Sequence, residues 1–282
     1  MPIRPLYSCL LALTLCACDE GRVTLSVADA PVDSVDAVVV QFSGVSFERD
    51  DGERLTVRLS PPIQVDLLNA TGGDSVELLS QSVDTGRYRR IELEVDGSAT
   101  STESYVVARG SLERTPLFVP DEFVSGLEVT AGIDVNEDDP VEATIDFDLR
   151  QSLYLVEGSG YELRPKLRFV IDEETGSAGG TVAADLIDDS CTAAAIYAFS
   201  GNDAALDDYD GTGTQPVNSA IVRGDGANGF EYAIGFLEAG SYTLALTCEA
   251  DLDEPGQDDD IEFTETRNAS VNAQRATTLN FD

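Results

Sequence analysis

Apolar and polar residues alternate with a period of two through much of the chain. The clearest alternating segments are residues 23–27, 91–96, 145–149 and 163–169. This period directs one set of side chains into a core and the other into water, which is typical of a half-buried antiparallel strand. Longer strands are predicted at residues 35–47 and 53–68, joined by an acidic turn at residues 49–52. One helix is predicted, over residues 75–82, with Ser75 as its N-cap.

A change of composition divides the chain after residue 170. Residues 171–180 are first charged and then small and glycine-rich, so they are predicted to form a linker. Short strands are predicted beyond it at residues 181–187, 193–199, 217–223, 230–236, 241–248, 261–267 and 274–281. The whole pattern predicts an all-β protein with two antiparallel β-sandwich-like domains in tandem, at residues 18–170 and 181–282.

The N-terminal segment has the pattern of a secretory signal. Arg4 is the only charged residue before Asp19, and residues 6–15 form an apolar stretch of about ten residues. That stretch is well short of the roughly 20 residues that a membrane-spanning helix needs. Residues 1–17 are therefore predicted to be a signal peptide that is removed during export.

The sequence Leu15-Cys16-Ala17-Cys18 resembles the lipobox of bacterial lipoproteins. The resemblance implies cleavage before Cys18 and lipidation of its thiol, so that the membrane itself is a partner. Cys16 fits less well, because the residue before it is not small; an ordinary secretory signal is the alternative. The predicted location is the cell envelope, on the periplasmic side of the inner membrane or on the outer membrane. Asp19 resembles an inner-membrane retention signal, but that rule varies between lineages.

The net charge of the chain excludes some classes of binding partner. Acidic residues outnumber basic ones by 53 to 17, which gives a formal net charge of −36. Such a surface repels nucleic acid and anionic lipid headgroups, so neither is a predicted partner. The excess charge indicates either cation binding or solubility in a saline habitat. Histidine is absent, which excludes Ser-His-Asp and Cys-His catalysis and the usual histidine metal sites, and no cofactor is predicted.

Of the 5 cysteines, only Cys191 and Cys248 lie in the predicted folded body. Export takes the chain to a compartment that permits disulfides, so these two are predicted to pair. The closed loop would stabilise the fold by about 4 kcal/mol in the chain-entropy model. Two buried free thiols are the alternative.

The first predicted domain resembles a known family. Its segments include Val23-Thr-Leu-Ser-Val-Ala-Asp29-Ala-Pro31 and Gly86-Arg-Tyr-Arg-Arg-Ile91, and the most specific are Asp146-Phe-Asp-Leu-Arg-Gln-Ser152 and Tyr161-Glu-Leu-Arg-Pro165. In order and spacing they resemble the bacterial and archaeal lipoprotein family called domain of unknown function 4382, over residues 21–170. The resemblance implies a lipoprotein and brings no activity with it.

The second predicted domain is similar to carboxypeptidase-regulatory-like, or transthyretin-like, sandwiches. The similarity lies in Phe230-Glu-Tyr232 and Leu237-Glu-Ala-Gly-Ser-Tyr-Thr-Leu244, a strand, a small turn and a Gly-x-Tyr-x-Leu strand. It implies a transthyretin-like β-sandwich at residues 181–282, which in such proteins is usually a non-catalytic module of a surface protein.

Two predicted strands carry opposite charges. One face holds Asp146, Asp148 and Arg150, and a face of the later strand holds Arg164, Lys166 and Arg168. If the strands pair as an antiparallel hairpin, the acidic and basic rows meet as cross-strand ion pairs. The favoured interpretation is a charge ladder that fixes the register, and the alternative is a groove for an anionic ligand.

Three acidic segments offer the oxygen ligands that calcium prefers. Residues 134–139 resemble the start of a calcium loop but lack its glycine and its distal glutamate. Asp207, Asp208 and Asp210 form a second cluster, and the densest offers Asp251, Asp253, Asp258 and Asp260 as calcium candidates. Carboxylate runs also arise by composition in so acidic a chain, so no metal site is predicted.

These features together predict a membrane-anchored, non-enzymatic binding or scaffolding protein of the cell envelope. Its further partners would be envelope proteins or glycans. A calcium-dependent or glycan-directed adhesin is the second hypothesis. A hydrolase is the third, and it is disfavoured because no Gly-x-Ser-x-Gly segment occurs and nothing pairs a raised-pKa acid with a nucleophile.

Overall fold

The computed structural model describes residues 19–98, 102–120, 123, 126–156, 158, 160–188, 190–225 and 229–282. The predicted signal peptide and the predicted lipidation site, Cys18, lie outside these residues. Strands dominate the described chain, as the alternating pattern predicts. Within the described ranges, no helix is long and apolar enough to cross a membrane.

The first domain contains twelve strands and one short helix. The strands are β1 (Glu20–Ala30), β2 (Val35–Arg49), β3 (Arg54–Asp66), β4 (Val76–Asp84), β5 (Gly86–Asp96), β6 (Tyr105–Ala108), β7 (Arg114–Phe118), β8 (Leu127–Val135), β9 (Val141–Asp148), β10 (Leu153–Val156), β11 (Gly160–Leu163) and β12 (Leu167–Ile171). The one-turn helix α1 (Leu149–Ser152) follows β9, and a 3₁₀ turn follows β3 at Leu67–Asn69.

These strands form two sheets that share one core. One sheet has the order β12-β9-β1-β4, and the other has the order β10-β11-β7-β6-β2-β5-β8 with β3 beside β2. The Phe42 and Phe147 rings, one from each sheet, meet edge to face with centroids 6.2 Å apart. The pairs β1–β9 and β7–β11 are parallel, so the sheets are mixed rather than purely antiparallel.

The second domain repeats the two-sheet plan on a smaller scale. Its strands are β13 (Thr175–Val182), β14 (Ala195–Ser200), β15 (Asn218–Ile221), β16 (Arg223–Asp225), β17 (Gly229–Glu238), β18 (Gly240–Thr247), β19 (Phe263–Val271) and β20 (Ala276–Thr278). They form the sheets β16-β17-β13-β20 and β15-β14-β18-β19 around a core that includes Ile196, Leu244 and Phe281. Cys191 and Cys248 form a disulfide with an S–S distance of 2.02 Å, which confirms the predicted pairing. The all-β, sandwich-like fold class is confirmed as well.

The helix predicted over residues 75–82 is wrong. From Val76 onward this segment belongs to β4, which pairs antiparallel with β1 and places Leu79 opposite Leu25. Leu78 and Val83 are buried in the core of the first domain. Strand pairing satisfies the backbone and buries these side chains together, and such tertiary context overrides a weak local preference for helix.

The linker predicted over residues 171–180 is also wrong. A 3₁₀ turn at Asp172–Glu174 leads directly into β13, which lies between β17 and β20. A Cβ atom on Gly180 would lie 2.1 Å from the Leu279 carbonyl oxygen, so the small residues permit close packing of backbones. The strand predicted at residues 181–187 ends at Val182, before another 3₁₀ turn at Ala184–Leu186.

Candidate functional site

Arg150 lies buried at the boundary between the domains. The helix α1 that carries it begins after Asp148, whose carboxylate accepts a hydrogen bond from the Gln151 backbone N–H at 3.2 Å. This cap ends β9 and turns the chain, so the Arg150 side chain leaves the sheet and is only 1% exposed. The prediction that Arg150 shares a strand face with Asp146 is therefore wrong.

The Arg150 guanidinium binds groups on both sides of the boundary. In the first domain it donates to the Asp33 carboxylate at 2.7 Å and to the Pro31 carbonyl at 3.3 Å. In the second domain it donates to the Ala250 carbonyl at 2.5 Å and lies over the Tyr197 ring, 5.5 Å from its centroid. Losing a partner would leave a buried, uncompensated charge, so these contacts hold the domains in one arrangement.

Close backbone approach provides a second contact between the domains. Gly235 packs against Gly72 and Gly73, and a Cβ atom on Gly235 would lie 2.3 Å from the Gly73 nitrogen. Nearby, the Asn218 side-chain amide donates to the Asp146 carboxylate at 3.1 Å. The surfaces of the two domains are therefore complementary both in shape and in hydrogen bonding, as surfaces are within a single folded unit.

Three carboxylates on the first domain lie at this boundary. Burial raises the pKa of Asp29 well above its ordinary value, and the nearby charges of Asp146 and Asp148 raise it further. Burial also raises the pKa of Asp146 and that of Asp148. One Asp29 oxygen accepts from the Leu149 backbone N–H at 3.3 Å, while the other has no hydrogen-bond partner among the described residues. The ionised forms of these three groups are therefore held at an electrostatic cost.

The predicted charge rows meet at one ion pair only. The strands β12 and β9 pair antiparallel, with Arg168 opposite Asp146 and 2.5 Å between Nη2 and Oδ2. Asp148 instead ends β9 and caps α1. Beyond this one pair, the predicted ladder of cross-strand ion pairs is therefore wrong. The antiparallel pairing on which it depends is present, but β10 and β11 lie between the two strands in the chain, so the two do not form a hairpin.

Arg164 and Lys166 lie outside that single pair. Arg164 forms an ion pair with Glu162 at 3.0 Å and lies over the Tyr154 ring. Lys166 forms no ion pair with any described residue, and it lines an open crevice of about 330 Å³ between the domains. The crevice is also lined by Asp146, Asp148, Gln151, Arg168 and Asn218. Binding of an anionic ligand there stays a prediction.

The acidic candidates of the second domain converge from two loops, residues 201–217 and 248–262. One carboxylate oxygen from each of Asp208, Asp253 and Asp259 lies within 4.8 Å of the others, and the same holds for Asp208, Asp210 and Asp258. Among the predicted calcium candidates, Asp253 and Asp258 belong to these groups, whereas Asp251 and Asp260 belong to neither. Residues 134–139 contribute to no such group in the described part of the chain.

Sequence reasoning missed the partners of Arg150. Asp33 and Ala250 lie 117 and 100 residues away from it, and no local pattern links such positions. Sequence reasoning also missed the central place of Asp208, which appeared only as one member of an acidic run. The large apolar residues Leu206 and Tyr209 within this acidic loop are the sequence signal that it is partly buried.

A family profile described as a domain of unknown function, DUF4382, matches residues 20–165. This chain belongs to the DUF4382 family. The match confirms the resemblance drawn from the segments of the first domain, and it includes Arg150 and Asp33. A comparison of this DUF4382 chain with the curated proteins finds no match.

Solved structures are similar to the DUF4382 chain only at low identity. The Bacillus anthracis TIE protein has 9% identity over 93% of the chain, with a TM-score of 0.21, and the chain spans 33% of its length. A candidate adhesin from Bacteroides ovatus has 13% identity and a TM-score of 0.23, with 99% of this chain and 98% of its own covered. The major pilin of Streptococcus pyogenes has 11% identity and a TM-score of 0.18, with 93% and 95% covered. TM-scores this low support no argument about function.

Proposed function

We propose that this DUF4382 chain is a lipid-anchored protein of the bacterial cell envelope that serves as a rigid, non-enzymatic binding or scaffolding module. The anchor is the thiol of Cys18. The module consists of both β-sandwich domains, the second of which we assign to the transthyretin-like class. Its partners are envelope proteins or glycans.

The buried Arg150 junction carries the scaffolding part of the proposal. A flexible pair of domains needs no buried charge at its boundary, because interfaces between mobile domains are small and largely polar. Here one guanidinium, 1% exposed, is hydrogen-bonded to Asp33 and to the Ala250 carbonyl across the boundary. A module built this way presents the surfaces of both domains to a partner in a constant arrangement.

The anchor part of the proposal is supported by the sequence around Cys18. The predicted cut follows Ala17, and β1 begins at Glu20, so only Asp19 separates the modified cysteine from the first strand. Two or three acyl chains hold a protein firmly to a bilayer, at about 0.8 kcal/mol for each buried methylene. The folded body would then lie directly against the membrane surface.

Fatty-acid labelling tests the anchor. Bacteria that express the full chain are grown with an alkyne-bearing fatty acid, and the purified protein is examined for the label and for sedimentation with membranes. We expect both in the wild type and in Cys16→Ser, and neither in Cys18→Ser. Label that persists in Cys18→Ser, or is missing from the wild type, would show that the anchor is misplaced.

Affinity capture from an envelope extract tests the scaffolding role. The full chain is used as bait beside Arg150→Met, which keeps the anchor but loosens the junction. We expect an envelope protein or glycan to be captured by the wild type and largely lost from Arg150→Met. Equal capture by both would show that binding needs no rigid pair of domains.

A further inference from the structure

Two loops of the second domain cover one face of the β15-β14-β18-β19 sheet. The loop at residues 201–217 packs Tyr209 against Tyr197 of β14, with ring centroids 5.5 Å apart. The loop at residues 248–262 meets it there, because the Tyr209 N–H donates to the Asp253 carboxylate at 3.3 Å and the Gly256 N–H donates to the Tyr209 carbonyl at 3.1 Å. Carboxylates from both loops are thus held close together by a packed base.

Asp208 is the buried centre of this group. It is 1% exposed, and one of its oxygens accepts a hydrogen bond from the Asp259 backbone N–H. The other oxygen, Oδ1, is sealed from solvent and has no hydrogen-bond partner among the described residues. A buried carboxylate oxygen without a partner is costly, so its position indicates a ligand that supplies the missing interaction.

The surrounding oxygens have the spacing of a single calcium ion. Oxygens that bind one Ca²⁺ at about 2.4 Å can lie no more than about 4.8 Å apart. The carboxylates of Asp208, Asp210 and Asp258 meet this limit, and so do those of Asp208, Asp253 and Asp259. Both groups contain Asp208, so the ion would have to lie beside this residue.

The available oxygens favour the first of these groups. In the second group, Asp253 is buried and both of its oxygens accept hydrogen bonds, from the Tyr197 hydroxyl at 2.6 Å and from the Tyr209 N–H. In the first group, Asp210 also accepts hydrogen bonds at both oxygens but is only partly buried, and the exposed Asp258 accepts none from a described residue. No ion pair among the described residues involves Asp208, Asp210 or Asp258. Three neighbouring carboxylates without a counter-charge are strained electrostatically unless a cation lies between them.

We propose that Asp208, Asp210 and Asp258 bind one Ca²⁺ ion between the two loops. Hydrogen bonds from the Thr212 N–H at 2.6 Å and the Gln215 amide at 2.8 Å fix the Asp210 carboxylate in place. Asp258 is exposed, so water reaches the site and completes the six to eight oxygens that calcium takes. The site goes beyond the proposed scaffolding role and does not depend on the anchor at Cys18.

Isothermal titration calorimetry with the full, chelator-treated chain tests this site. Calcium is the probe, and magnesium at matched ionic strength is the second arm, because magnesium needs a tighter octahedral site. The variants are Asp208→Asn and Asp258→Asn. Asp260→Asn is the matched control, since it removes the same charge from the same loop but lies in neither group. Asp258→Asn changes an exposed side chain, so loss of folding does not obscure the result.

We expect the wild type to bind one calcium ion with a Kd of about 10⁻⁴ M and magnesium at least about ten-fold more weakly. Asp208→Asn and Asp258→Asn should each weaken calcium binding at least about ten-fold, and Asp260→Asn less than about two-fold. Calcium at ten times Kd should also raise Tm by about 5 °C, with no such rise in Asp208→Asn. Equal effects of both metals, an equal loss in the control, or no binding by the wild type would each overturn the site.

Discussion

Replacing Arg150 with methionine should uncouple the two domains. Methionine fills much of the space of the arginine stem but cannot reach the Asp33 carboxylate or the Ala250 carbonyl with a donor. Asp33 is then a buried carboxylate whose remaining cation, Arg109, is 3.9 Å away and largely exposed. The substitution therefore leaves an uncompensated charge and an unsatisfied carbonyl on opposite sides of the boundary.

The expected loss follows from burial. Arg150 is 1% exposed and Asp33 4%, and removing one partner from a buried ion pair costs about 3–5 kcal/mol. We therefore expect Arg150→Met to lower the free energy of unfolding by about 4 kcal/mol. Arg87→Met is the matched control, because Arg87 forms ion pairs with Asp50 and Asp134 but is 54% exposed. Arg87→Met should lower the free energy of unfolding by no more than about 1 kcal/mol.

Urea unfolding followed by circular dichroism measures both losses, and calorimetry shows whether the domains still unfold together. We expect one transition in the wild type and two separate transitions in Arg150→Met. The double variant Arg150→Met with Asp33→Leu should regain at least about half of the loss, because it removes both buried charges. A loss in Arg150→Met no larger than that in Arg87→Met would refute the junction as the link between the domains.

Three further predictions concern the Asp29 carboxylate, the Gly235 contact between the domains, and the disulfide. The raised pKa of Asp29 means that its ionisation opposes folding, so Asp29→Asn should stabilise the protein at neutral pH; the gain should fade as pH drops through the raised folded-state pKa toward 3.8, which urea unfolding at several pH values would reveal. Were the gain independent of pH, ionisation would not be its cause. Gly235→Ala should lower stability by about 2 kcal/mol, since a Cβ there would lie 2.3 Å from a backbone nitrogen of the other domain. Gly132→Ala, where only an arginine side chain lies 3.8 Å away, should change stability little. Thermal melts of the two variants measure both changes. Equal losses in the two glycine variants would contradict a tight domain contact. Reduction of the disulfide, whose cysteines are 57 residues apart, should destabilise the second domain by about 4 kcal/mol, measured by calorimetry with and without a reductant, and an unchanged Tm would contradict this.

The strands that could be predicted are those with one face in a core and one in water. Residues 91–96 and 145–149 alternate strictly, and both lie in strands, although the second strand ends at Asp148. The segment at residues 171–180 could not be predicted, because its glycines indicate flexibility locally. They are explained only by backbone atoms that approach from distant parts of the chain, Tyr232 at Gly179 and Leu279 at Gly180 among them. In the same way, residues 76–84 form a strand and not a helix because β1 lies beside them.

The site residues show the same limit. Pairing of Arg168 with Asp146 could be predicted, because the two residues lie on alternating strands of opposite charge that are only 22 residues apart and pair antiparallel. Arg150 depends on a helical cap that interrupts the alternation and on partners in a second domain. The sequence shows that residues 251–260 are rich in carboxylates, but it does not show which of them lie together. Only the fold places Asp258 beside Asp208 and leaves Asp260 out of the group.

The position of β1 has a mechanical consequence. On the proposed anchor, a pull on the protein enters at Cys18 and passes directly into this strand, which is about 36 Å long and ends at the Arg150 junction. Hydrogen bonds to β4 on one side and to β9 on the other run along β1. A force along the strand therefore loads many of these bonds in shear at once and does not break them one at a time. Force between a membrane and a partner held by the second domain would then travel along one strand and one arginine.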